Sequence, residues 1–149
     1  MTIKSWMGAG LLLLATSAYA ADSDRFVSKL ALPTGQTVVV AEGDFEARSI
    51  GSFSVRLYEA AAAPDETTFF SSGLIRPRDG VVEKVMLADI DGDKRQEVVV
   101  LVRSAGSGSY LSAHAFTPTK NKLVYRGAVM GLAANADPIK ALRRLGKKR

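Results

Sequence analysis

The sequence contains no cysteine. This absence excludes a disulfide framework, and it leaves no lipobox cysteine for an N-terminal lipid anchor. Long hydrophobic runs are also missing, because the apolar stretch at residues 6–14 is much shorter than the roughly 20 residues that cross a bilayer. We therefore expect no membrane insertion and a fold that depends on its own core for stability.

Histidine occurs once, at His114, and the chain has no Gly-x-Ser-x-Gly motif to present a nucleophilic serine. Side chains two apart in a strand share a face, so His114 would lie beside Ser112 and Phe116. Neighbours on one strand rarely form a nucleophile and base pair. A small hydrolase centred on His114 is therefore the third of three functional hypotheses, and we expect a partly exposed residue at the edge of a binding surface.

The first twenty residues have the three parts of an export signal. Lys4 supplies a positive charge, residues 6–14 an apolar region, and Ala18 and Ala20 the small residues of a cleavage site. We predict cleavage after Ala20, which leaves residues 21–149 as one domain able to bury roughly two-thirds of its unfolded surface. Export without cysteine is typical of a bacterial periplasmic protein.

The formal net charge of +5 is mildly basic. Much of the excess lies in a C-terminal cluster of cations: Arg143, Arg144, Lys147, Lys148 and Arg149. A nucleic-acid site would interleave basic and aromatic residues along a groove, so no nucleic-acid partner is predicted. Residues 137–146 predict a short helix, since an aspartate precedes a proline and apolar residues recur on one side before a glycine.

Strand-like segments make up most of the remaining chain. They cover residues 37–41, 52–58, 69–75, 81–90, 96–104, 110–117 and 122–127. Turn residues at 77–80, 91–95 and 118–121 make the connections short, and short connections permit only antiparallel neighbours. The predicted fold is all-β, an antiparallel sandwich or barrel-like meander with a short C-terminal helix.

Residues 104–110 form the most distinctive segment. Two glycines and several small hydroxyl residues stand between two β-branched or alternating runs, which predicts a thin hairpin tip able to enter a narrow cleft. The candidate binding residues are Ser107, Gly108, Ser109 and Tyr110.

A meander alternates its turns between two ends of the sheet, so the predicted turn at 77–80 shares an end with this tip. Arg76, Arg78 and Arg103 would then surround the tip with positive charge, and His114 would complete the rim.

Ser107, Gly108, Ser109 and Tyr110 form a Ser-Gly-x-Tyr motif. In this context the chain resembles the bacterial periplasmic lysozyme inhibitors, which carry that motif on a loop that enters the active cleft of lysozyme. The stretches 22–27, 32–35, 41–52, 55–58, 76–80 and 87–93 resemble the branch that inhibits invertebrate-type (I-type) lysozymes. The Tyr-x-x-x-Lys-Gly motif of the C-type branch has no match around Tyr125.

The resemblance implies a periplasmic inhibitor that performs no catalysis and needs no cofactor. Its partner would be I-type lysozyme, with the hairpin tip in the catalytic cleft. The sequence does not decide between a monomer and a homodimer.

Residues 89–97 support an alternative hypothesis, a calcium-dependent binding module. Carboxylates occupy positions 1, 3, 5 and 9 of this segment, at Asp89, Asp91, Asp93 and Glu97, a spacing able to surround Ca²⁺. Against it, Lys94 stands where calcium loops commonly have glycine and Arg95 follows, so an Asp-rich turn bonded through its own side chains is the other interpretation. The meander places this loop at the end opposite the hairpin tip.

Overall fold

The structure is a computed structural model that describes residues 24–63 and 65–147. The predicted signal peptide, residues 1–20, and the cleavage site lie outside these residues. Within the described part of the chain, no helix has the length and apolar character needed to span a membrane.

The described residues form eight strands and one helix. The first sheet contains β1 (Val27–Ala31), β2 (Thr37–Glu42), β3 (Ile50–Tyr58) and β4 (Phe70–Asp79), and the second contains β5 (Val81–Ala88), β6 (Glu97–Arg103), β7 (Leu111–Pro118) and β8 (Leu123–Leu132), followed by α1 (Pro138–Gly146). Each sheet is antiparallel, and its strand order follows the chain. The all-β sandwich with a C-terminal helix is thus confirmed, as two stacked meanders that, over the described residues, do not close into a barrel.

Burial on two faces explains why β6 is almost continuously apolar. One set of its side chains, including Val98 and Val100, packs between the sheets with Phe53 and Phe116. The alternate set, including Val99, packs under α1 on the outer face of the second sheet. A strand covered on both faces has no wet side, so its sequence shows no polar alternation.

The predicted helix is confirmed as α1. The Asp137 side chain accepts hydrogen bonds from the backbone N–H groups of Ile139 and Lys140, at 3.0 and 3.1 Å. These bonds satisfy donors that the first turn leaves unpaired. Leu142 is buried against the second sheet and fixes the helix there.

The predicted tight turn at residues 77–80 is wrong. β4 continues through this segment and pairs with β3, with Pro77 opposite Ser52 and Asp79 opposite Ile50. The chain then passes from the first sheet into the second at Gly80, whose φ is +115°. A Cβ atom at Gly80 would lie 1.8 Å from the carbonyl oxygen of Arg103, so only glycine fits where the two backbones meet.

The strands divide the turns between two ends of the sandwich. The hairpin end carries the β2–β3 loop (residues 43–49), Gly80 and the hairpin tip (residues 104–110), because Gly80 N donates to Ser49 O at 2.8 Å and also packs on Arg103. The far end carries the β5–β6 loop (residues 89–96) and the β7–β8 turn. Gly80 and the hairpin tip therefore share an end, as the meander predicts.

Candidate functional site

The hairpin tip is a closed loop on the two central strands of the second sheet. Ser104 N donates to Tyr110 O at 2.8 Å, and Ser109 N donates to Gly106 O at 3.2 Å. Ser104 Oγ accepts from Gly106 N at 3.2 Å, and Ser109 adopts a left-handed φ of +46°. Residues 105–110 are all exposed. The tip therefore presents small polar groups to solvent in a defined conformation.

Tyr110 folds back over the tip instead of pointing away from it. A Cβ atom on Gly108 would lie 2.2 Å from Cε2 of the Tyr110 ring, so the ring already occupies the space beside that glycine. Tyr110 nevertheless remains 53% exposed. Gly108 thus keeps the tip thin and also leaves room for the ring.

Arg103 ties the tip to β5. Its Nη1 donates to Ser109 O at 2.8 Å, while Nη2 donates to Glu83 Oε1 at 2.8 Å and Nε donates to the second carboxylate oxygen. The hydrogen bond and charge of Arg103 hold the pKa of Glu83 below its usual value. Arg103 therefore lies at the tip, as predicted, but its guanidinium is engaged in holding the loop.

Arg78 is not a rim residue, because it is only 2% exposed. With β4 continuing through this position, the side chain points inward and donates to the carbonyl oxygens of Arg48, Ala47 and Ser52 at 2.7, 2.9 and 3.0 Å. A buried guanidinium needs such acceptors, since an unpaired buried charge is costly. Its role is to anchor the β2–β3 loop.

His114 and Arg76 lie between the sheets. His114 is only 4% exposed, so the expected partly exposed residue is wrong. Its ring meets Phe53 edge-on at 5.2 Å, and Nδ1 lies 3.2 Å from the Tyr125 hydroxyl. Arg76 stacks over the Tyr125 ring at 4.1 Å. Burial, followed by the charge of Arg76, lowers the pKa of His114 to about 4. His114 is therefore not an exposed rim residue, while Arg76 is half-buried.

The chain matches the family model for the periplasmic lysozyme inhibitor of I-type lysozyme over residues 24–146. It belongs to this family. Aeromonas hydrophila PliI, a periplasmic inhibitor of I-type lysozyme, has a solved structure that is 47% identical, covers 78% of this chain and 98% of its own, and superposes with a TM-score of 0.74. The same protein in complex with Meretrix lusoria lysozyme is 47% identical, with coverages of 79% and 95% and a TM-score of 0.73. No curated protein matches.

Family membership confirms the predicted class. Members of this family are inhibitor proteins and not enzymes, and their target is I-type lysozyme. The hydrolase hypothesis fails on this ground, and the neighbours of His114 are aromatic rings.

The Asp-rich loop lies at the far end of this lysozyme inhibitor. Carboxylate oxygens of Asp89, Asp91 and Glu97 lie within 4.8 Å of one another. Asp89 already accepts from Gly92 N and Lys94 N, while Asp93 pairs with Arg95 at 2.6 Å.

Lys94 adopts a φ of +69°, the conformation that a calcium loop assigns to glycine. Burial raises the pKa of Glu97, which accepts from Ile90 N at 2.8 Å. The described loop is a turn bonded through its own side chains.

The sequence pattern does not identify Glu83 as a residue of the candidate site. The register of β5 against β6 shifts between Val82 and Lys84, so Glu83 is the extra residue of a β-bulge. Bulges re-aim side chains next to functional sites, and here the bulged residue meets Arg103. No pattern in the sequence marks a bulge, which explains the omission.

Proposed function

We propose that this protein inhibits I-type lysozyme by inserting the hairpin tip into the catalytic cleft. The observation that carries the proposal is that the exposed tip is held in place by Arg103. This side chain donates hydrogen bonds to both Ser109 O and the Glu83 carboxylate. A loop ordered before binding loses less conformational entropy when it enters a cleft. The solved complex of Aeromonas hydrophila PliI with a lysozyme supports direct association.

The chemistry of the tip suits a glycan-cleaving cleft. A glycosidase flanks its scissile bond with two carboxyl groups, and a plug must bond these groups or leave them unsatisfied. The Ser107 hydroxyl is exposed and can donate to such a carboxyl group. Tyr110 adds a rigid aromatic ring with a polar hydroxyl group, and about half of the residue is exposed to solvent.

The mature protein would reach lysozyme after export. We propose that residues 1–20 are removed in the periplasm and that the mature chain begins at Ala21, on the strength of the charged, apolar and small-residue regions described above. Mass spectrometry of the periplasmic protein tests this, and a retained N-terminus would contradict it.

Alanine substitutions separate binding from folding. Ser107→Ala and Tyr110→Ala remove exposed side chains, so the melting temperature should hardly change. Inhibition of purified I-type lysozyme should nevertheless weaken by roughly tenfold for Ser107→Ala and thirtyfold for Tyr110→Ala. Asn121→Ala, an exposed polar change at the far end, serves as the control. If folded Ser107→Ala and Tyr110→Ala inhibit as well as the parent, the hairpin tip is not the inhibitory element.

A further inference from the structure

The β2–β3 loop (residues 43–49) is joined to the hairpin tip through one backbone corner. Gly80 N donates to Ser49 O at 2.8 Å. The same glycine lies so close to Arg103 that an added Cβ would sit 2.8 Å from Ser104 Cα, where the tip begins. The two loops therefore occupy one continuous surface at the hairpin end.

Side-chain hydrogen bonds from the buried Arg78 and to the half-buried Glu46 fix the conformation of this loop. Arg78 donates to Ala47 O and Arg48 O, as described above. Glu46 accepts from Ser52 Oγ at 2.7 Å, and its bonds to the backbone and side chain of Ser52 hold the pKa of Glu46 below the usual value. The loop is ordered before any partner arrives, like the hairpin tip.

Phe45 is displayed at the apex of the ordered loop. Its side chain is 89% exposed, the highest value among the large apolar side chains of the described residues. Its φ of +60° lies in the left-handed region that a bulky residue rarely adopts. Ile50, where the loop rejoins β3, is 63% exposed. Both apolar side chains lie at the same end of the sandwich as the proposed binding element, and their burial in a complex would be favourable.

We propose that the β2–β3 loop is a second contact element for I-type lysozyme, with Phe45 docking on an apolar patch of the enzyme surface beside the cleft. This inference rests on the proposed insertion of the hairpin tip, which brings the enzyme against the hairpin end. The surface that Phe45 contacts would then be the part of the enzyme that borders the cleft. Aromatic side chains, phenylalanine included, are enriched in protein–protein interfaces.

Replacing Phe45 with alanine tests this role. The dissociation constant for purified I-type lysozyme, measured by surface plasmon resonance, should rise by roughly tenfold, mainly through faster dissociation. The melting temperature should stay unchanged because the ring is almost fully exposed. Phe69→Ala is the matched control: Phe69 is 65% exposed and precedes β4 at the far end, so affinity should not change.

The outcomes separate this inference from the hairpin proposal. An affinity of Phe45→Ala within about twofold of the parent, with inhibition lost in Ser107→Ala, would overturn the second contact and leave the hairpin in place. Weaker binding in Phe45→Ala with full inhibition by Ser107→Ala and Tyr110→Ala would overturn hairpin insertion and support the loop as a contact. Equal losses in Phe45→Ala and Phe69→Ala would count against a local role for Phe45.

Discussion

Glu83 and Arg103 are 20 residues apart in the chain and meet through two hydrogen bonds beside the hairpin tip. Glu83 is on the edge strand of the second sheet and Arg103 ends the neighbouring strand. The same guanidinium holds Ser109 O at 2.8 Å. The pair therefore links β5 to the loop that we propose enters lysozyme.

Weakening this pair should reduce inhibition more than stability. Glu83→Gln removes the negative charge but keeps one acceptor, and a partly exposed ion pair is worth under about 1 kcal/mol in the free energy of unfolding. We expect the inhibition constant to rise by roughly two- to fivefold as the tip loses its order. Glu59→Gln, at the exposed far end, is the control. An unchanged inhibition constant would show that the tip needs no clamp.

The two glycines of the tip should respond differently to the same substitution. In Gly108→Ala the new methyl group would overlap the Tyr110 ring, which must move away. In Gly106→Ala the nearest atom is Ser104 Oγ at 3.5 Å, an ordinary contact. Inhibition assays should show a loss of about tenfold for Gly108→Ala only, because it displaces a proposed anchor. Equal behaviour of the two variants, both folded, would contradict the placement of the ring.

His114 should make stability depend on pH. Its folded pKa of about 4 lies below its ordinary value of 6.5, so the unfolded chain binds a proton that the folded protein excludes. Stability from this group is full above pH 6.5 and falls as the pH is lowered toward 4, by up to roughly 3 kcal/mol. Urea unfolding between pH 4.5 and 7 should show a shallower pH dependence for His114→Gln. Parallel curves for parent and variant would exclude this contribution.

The corner between the sheets should tolerate no side chain. Gly80→Ala would place a methyl group 1.8 Å from a backbone oxygen, whereas Gly92→Ala would meet nothing within 4 Å. Both glycines have positive φ, so both variants pay a conformational penalty of about 1 kcal/mol. Thermal or urea unfolding should show a further loss of roughly 2 kcal/mol or more for Gly80→Ala alone. Similar stabilities of the two variants would falsify the close approach at Gly80.

The features that could be predicted from the sequence are those determined by local patterns. Alternation in β3 and the apolar run of β6 identify strands, and the small residues of 104–110 identify a tip, because periodicity and turn chemistry act over a few residues. β1 was missed because it is a short edge strand with a weak pattern. The turn residues at 77–80 look like a hairpin, but the segment belongs to an edge strand, where proline is tolerated.

The errors at single side chains have a different cause, since they depend on contacts between distant segments. Arg78 is buried because carbonyl groups of the β2–β3 loop surround it, and nothing near residue 78 announces them. His114 is buried because Phe53 and Tyr125 arrive from other strands. Charge and polarity predict exposure only where such partners are missing.

The hairpin tip joins the two inner strands of its sheet, with β5 and β8 on either side. The buried valines of β6 pack on both faces, so their amide protons should exchange with solvent only when the whole domain unfolds. When an edge strand opens locally, the base of the tip keeps the pairing of β6 with β7, although opening of β5 would release the bond between Glu83 and Arg103. The two strands that flank the loop, β6 and β7, would stay paired during such local openings. A protease in the same compartment could therefore not cleave these strands while the domain is folded.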